Sequence, residues 1–277
     1  MQTAADSGGN LAGATSALRT ANSVGCNLDF NNSAPTASGL AVAAINSGPK
    51  PDGSNLKLPA GYRAEPVLWN LTLPSAVTFD GRGTMYVAES GFAYGGLSPQ
   101  PRILKVDIDG SVSVFADRML NGPITDIEFN RDNGLLYVSH LGVVSTIDPT
   151  CLVKDIIVGL PSAGDYYNNQ IAFGPGANGT VRLYVGQGTV TNSGVVGLDN
   201  LQQTGWLKVS TESHDVPATN VTLAGQNFQT PNPLTDGDRA DNATTGAFVP
   251  FGTATADGQV VKGGEKCSGC ILSAKLD

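Results

Sequence analysis

The hydrophobic positions fall into short runs of four to six residues, separated by Gly-, Asn-, Asp- and Pro-containing turns. Alternation with period two over such runs predicts half-buried strands, and turn residues between paired runs predict hairpins. The pattern predicts strands near 63–68, 76–79, 85–88, 102–107, 112–115, 124–129, 135–138, 143–147 and 153–158. Asp109-Gly110 is a strong hairpin signal between two of them. A further hairpin lies in Gly164–Gly197, where Ile171-Ala172-Phe173 and Leu183-Tyr184-Val185 flank the turn Gly174–Gly179. Polar clusters bracket that hairpin, Asp165 to Gln170 before it and Gln187 to Ser193 after it.

The hairpins repeat. AVTFDGRGTMYVAESG, DIEFNRDNGLLYVSHLG and QIAFGPGANGTVRLYVGQG each place a Phe before a Gly-containing turn and a Tyr-Val after it. Phe79, Phe129 and Phe173 correspond, as do Tyr86, Tyr137 and Tyr184, and the phenylalanines are 50 and 44 residues apart. A period of roughly 40–50 residues with four strands per unit is the signature of β-propeller blades. The fold expectation is therefore all-β: about three blades, near 56–118, 119–163 and 164–277, with a long irregular insertion over 192–262 in the third. Phe and Tyr are expected to fill the spaces between blades. Residues 1–55, rich in Ala, Ser, Gly and Asn, are expected to form a loosely ordered arm. Closed propellers need more blades than three, so further blades or another chain are expected to complete the ring, with this sequence the N-terminal part of a longer protein.

Composition narrows the function. The formal net charge is −8, which argues against nucleic-acid binding, since phosphates need a basic face. No apolar run approaches the ~18 residues of a membrane span. Four cysteines, Cys26, Cys151, Cys267 and Cys270, fit disulfides in an oxidising compartment, and their connectivity stays open. Five Asn-x-Ser/Thr sequons, at Asn31, Asn70, Asn178, Asn220 and Asn242, add mild support for a secreted or periplasmic glycoprotein. Cys267-x-x-Cys270 is followed by Ile271, not His, so it is not a haem attachment site, and no second CxxC supplies a zinc set. Asp236, Asp238 and Asp241 could face Ca²⁺, but their spacing is not an EF-hand loop, and solvated loop acids are the simpler reading.

LPAGYRAEPVLWNLTLPSAVTFDGRGTMYVAESG resembles the opening blade of the glucose/sorbosone dehydrogenase family, six-bladed propellers that include quinoproteins using pyrroloquinoline quinone (PQQ). GDYYNNQIAFGPGANGTVRLYVGQGTVTNSGVVG, TLAGQNFQTPNPLTD, TTGAFVPFGT and CSGCILSAKLD resemble its third blade and insertion. The resemblance covers roughly 56–277, the N-terminal half of such a protein. It implies hydride abstraction from a sugar C–H by PQQ, with Ca²⁺ polarising the cofactor and a His as general base. The family's His follows an Asp; here Asp165 is followed by Tyr166. A phenol is a poor base at neutral pH. Asp165 and Tyr166 are thus the candidate catalytic pair, with an inactive member the alternative. Asn169, Gln170, Gln187 and His140 are candidate substrate or cofactor contacts. His140 stands where Glu89 and Gln187 stand in the other copies, and His214 lies in the insertion. The rival reading is a non-enzymatic extracellular propeller segment that binds a glycan or assembles with other chains.

Overall fold

The computed structural model describes residues 44–53, 56–91, 100–117, 119–203, 205–235 and 241–276. Cys26, Asn31, Asp236 and Asp238 lie outside the described residues, as does most of the expected arm. The fold is that of a partial β-propeller, built from antiparallel sheets standing side by side.

The first blade is β1 (Pro74–Phe79), β2 (Met85–Glu89), β3 (Arg102–Val106) and β4 (Val112–Ala116), paired in chain order. The second repeats this meander with β5 (Ile124–Asn130), β6 (Leu135–His140), β7 (Val143–Ile147) and β8 (Val153–Val158). The third has β9 (Asn168–Pro175) and β10 (Val181–Gln187) as its hairpin. The insertion follows β10. It contributes β11 (Val221–Ala224), β12 (Asn227–Pro231), β13 (Asn242–Gly246) and β14 (Asp257–Val261), and β15 (Cys270–Lys275) then completes the blade beside β10. Among its described residues the insertion holds two short ribbons, β11–β14 and β12–β13, one α-helical turn, α1 (Asp199–Gln202), and a 3-10 turn at Trp206–Lys208. Trp206, Leu207, Val190 and Val196 bury a small core of its own.

No strand forms over 63–68, contrary to the alternating pattern there. Pro66 has no N–H for a ladder, Val67 is exposed, and among the described residues no partner strand lies beside the segment. Instead 68–71 and the turn at 44–47 cover the outer side of the first blade. Ile45, Leu68 and Leu71 pack on Val87 and Leu104, and Trp69 Nε1 donates to the Ser47 carbonyl at 2.9 Å.

Between blades the packing repeats one contact. Phe129 of the second blade stacks on Tyr86 of the first, ring centroids 5.8 Å apart, and Phe173 of the third meets Tyr137 of the second edge-on at 4.9 Å. Offset and edge-on aromatic pairs contribute beyond their buried area. Ile103, Ile124, Ile127, Leu136 and Val138 fill the first junction, and Ile171, Leu183 and Val185 the second. Phe79, the third member of the series, is 49% exposed and fills no junction.

The innermost strands β1, β5 and β9 run alongside one another and are tied by side-chain bonds. The Thr78 hydroxyl accepts from Phe129 N–H at 3.2 Å, Thr125 Oγ1 donates to the Asn168 carbonyl at 2.8 Å, and Asp126 Oδ2 accepts from Ile171 N–H at 2.8 Å. Burial raises the Asp126 pKa against the pull of the Ile171 N–H; burial and then the Asp126 charge raise that of Glu128.

Candidate functional site

One end of the blades gathers the β2–β3, β6–β7 and β10–β15 connections, the last of them the whole insertion. Glu89, His140 and Gln187 all stand at this end, each the last residue of its blade's second strand. All three are buried, and each ties down the chain leading into its own blade. Glu89 pairs with Arg102 and accepts from Thr72 N–H. His140 Nδ1 accepts from Asn121 N–H at 3.2 Å, and Gln187 Nε2 donates to the Pro161 carbonyl at 2.7 Å.

His140 is 1% exposed. With Nδ1 accepting a backbone N–H, the neutral ring carries its hydrogen on Nε2 and donates to Ser145 Oγ at 2.8 Å; that hydroxyl donates to Asp155 Oδ1 at 2.7 Å. In this chain the serine proton goes to the carboxylate and not to the imidazole. The arrangement is therefore not a nucleophile–base pair. His214, in the insertion, is half-buried with Nδ1 2.8 Å from the Glu212 carbonyl.

Asp165 and Tyr166 stand on the lead into β9, paired to the start of the insertion through Asp165 N–H to Val190 O at 2.9 Å and Tyr166 N–H to Thr189 O at 3.2 Å. Asp165 Oδ1 accepts from the Trp206 indole at 2.8 Å and Oδ2 from Asn200 Nδ2 at 2.9 Å, so this carboxylate fastens α1 and the turn after it to the third blade. Tyr166 is 45% exposed, and its hydroxyl donates to Asn192 Oδ1 at 2.6 Å. Asn169 and Gln170 follow, both exposed. Gln187 lies beneath, 4% exposed, and its Oε1 is a buried acceptor without a partner.

The histidine-base chemistry implied by resemblance is not what these residues supply. The Tyr166 hydroxyl donates its hydrogen bond to Asn192 Oδ1, and both histidines are engaged elsewhere. Among the described residues no three His, Cys, Asp or Glu side chains converge as a metal-binding group, and Asp241 accepts from the Thr235 hydroxyl at 2.6 Å. Cys267 and Cys270 form a disulfide with each other, and Cys151 is disulfide-bonded as well. Among the described residues no helix is long and apolar enough to cross a membrane.

Three important residues carry no distinct signal in the sequence. Asn168, fully buried, enters the β6–β7 turn: its Nδ2 reaches Ser139 Oγ at 2.9 Å and the carbonyls of His140 and Val143 at 3.0 Å, and its Oδ1 accepts from Gly142 N–H at 2.8 Å. Asn192 orients Tyr166. Asp215 receives Val190 N–H, Thr191 N–H and the Thr191 hydroxyl at 2.6–3.0 Å, pinning the first turn of the insertion.

No family model and no curated protein sequence matches the chain. Among solved structures it is similar to virginiamycin B lyase from Staphylococcus aureus, at 14% identity and a TM-score of 0.31 over 43% of this chain and 38% of the lyase. It is similar also to a catalytically inactive variant of that lyase with quinupristin, at 13% identity and 0.29 over 44% and 39%. The chain thus spans about two fifths of the length of the lyases it matches, and a likeness at this level bears on neither family nor activity.

Proposed function

We propose that the chain recognises a sugar or glycan at the insertion-bearing end of the third blade and does not turn it over. The observation that carries this reading is Tyr166: a half-exposed ring whose hydroxyl is fixed by Asn192, followed by the exposed amides of Asn169 and Gln170. An aromatic face beside planar amides suits a ring that is apolar on its faces and polar at its rim. The bonds of Asp165 and His140 support the absence of turnover, since both side chains hold structure in place. The disulfide chemistry supports a location in an oxidising compartment, secreted or periplasmic.

The test is a glycan array followed by calorimetric titration. Binding that is lost in Tyr166→Ala and weakened in Tyr166→Phe supports the proposal; no glycan binding, or binding indifferent to both changes, refutes it. A parallel assay adds PQQ, Ca²⁺ and aldoses and follows dye reduction. Turnover there would restore the dehydrogenase reading, and turnover surviving Tyr166→Phe would take Tyr166 out of its mechanism.

A further inference from the structure

The opposite end of the molecule carries a separate feature, independent of the sugar reading. The three repeated tyrosines do not treat their hydroxyls alike. Tyr137 OH accepts from Asn133 Nδ2 at 3.0 Å, and Tyr184 OH donates to the Pro175 carbonyl at 2.8 Å, each satisfied near the turn of its own hairpin. Tyr86 is 7% exposed, wedged between Phe115 at 5.0 Å and Phe129 at 5.8 Å, yet its hydroxyl has no hydrogen-bond partner among the described residues. Nor is that oxygen sealed in. It opens on a cleft of about 810 Å³ between the first two blades, within the size range of small-molecule sites.

The walls of the cleft are specific. Tyr86, Phe115, Phe129, Leu136 and Ile147 make an apolar floor. Its rim holds three cations, Arg82, Lys105 and Arg131, against two carboxylates, Asp80 and Asp107, in a chain of net charge −8. Both carboxylates are occupied. Asp107 pairs with Lys105 at 2.8 Å, and Asp80 Oδ1 accepts from Arg82 N–H at 2.7 Å and Thr84 N–H at 2.9 Å. The Arg82 and Arg131 guanidinium groups are not ion-paired among the described residues. The Arg131 stem crosses Gly81, where a Cβ would lie 3.8 Å from its Cδ, so the second blade's arginine reaches over the first blade's turn. The Tyr86 hydroxyl, open to the cleft and without a bond to the described residues, is placed to meet a polar atom of whatever enters.

We propose that this cleft binds a small amphipathic organic anion. Its carboxylate meets Arg82 and Arg131, its flat apolar body lies on the aromatic floor, and a polar edge atom meets the Tyr86 hydroxyl. Arginine suits the headgroup because its planar fork matches a carboxylate.

The experiment titrates the full chain with naphthalene-2-carboxylate by calorimetry, with neutral naphthalene-2-carboxamide as the control. The carboxylate is expected to bind saturably, more weakly at high salt, and the amide roughly tenfold or more less tightly. Tyr86→Phe should weaken the carboxylate roughly 2- to 12-fold, the worth of one hydrogen bond. Arg131→Gln, an exposed change that leaves the floor intact, should weaken it by about tenfold. Absence of saturable binding overturns the proposal. So does equal affinity for the amide, or binding unchanged by both substitutions, which would place the probe on another apolar surface.

Discussion

Replacing Asn168 by Ala tests whether one amide locks the second and third blades together. The side chain is fully buried and serves Gly142 N–H, the carbonyls of His140 and Val143, and Ser139 Oγ. Truncation strands the Gly142 donor and at least one carbonyl in the tight Leu141-Gly142 turn, where Gly142 has φ +73°. Each stranded group costs about 1–3 kcal/mol, so the loss should be about 4 kcal/mol. That is a large share of the ~5–15 kcal/mol of a typical domain. For a chain of this size it lowers the Tm by roughly 8–16 °C. Urea and thermal unfolding followed by circular dichroism measure it. Asn168→Asp provides a second reading. It keeps the acceptor for Gly142 but aims a carboxylate at carbonyl oxygens, which raises the pKa of the introduced acid. Its stability should therefore recover as pH falls through that raised value, when the acid can donate again. A loss below about 1 kcal/mol in Asn168→Ala, the size of an ordinary surface change, would refute the locking argument.

Three further outcomes are expected. Arg102→Ala leaves Glu89 charged and buried without its partner and should cost about 3–5 kcal/mol in urea unfolding, whereas a neutral effect would show the pair to be dispensable. Asp126→Asn, which keeps an acceptor for Ile171 N–H, should raise stability at neutral pH. A carboxyl with a raised folded pKa weakens the fold as pH rises through that value, so the wild type should close the gap to the variant on acidification; unchanged pH dependence would contradict this. The Cys267–Cys270 disulfide closes so short a loop that its removal by double Ser substitution should cost at most about 2 kcal/mol, smaller than for Asn168→Ala in the same thermal assay.

The blades were legible because each is local. Alternation and Gly-bearing turns lie within a few residues of one another, and the Phe/Tyr repeat marks the strands that face neighbouring blades. The bounds of β7 and β8 match the pattern, and most others differ by one or two residues. The alternation at 63–68 misleads because a strand also needs a partner and donors, and Pro66 supplies neither. At the candidate site, sequence gave position but not partnership. Asp165 meets Asn200 and Trp206, 35 and 41 residues away, and nothing in period or spacing pairs them. His140 was identifiable as a strand end, but its burial depends on Ser145 and Asp155 in the two strands that follow. Asn168 and Asn169 look alike in the chain, yet one is the buried plug and the other is exposed, a difference decided by which way β9 enters its sheet.

The aromatic contact between blades is directional: the later blade always offers the phenylalanine and the earlier blade the tyrosine. Such a contact is heterologous, so repetition produces either a closed ring or an open helical array, and never a face-to-face twofold pair through these rings. Among the described residues, exposed Phe79 and partly exposed Tyr184 are the two unmatched halves of that grammar. Whatever extends the array in the same manner must bring a tyrosine to Phe79 or a phenylalanine to Tyr184.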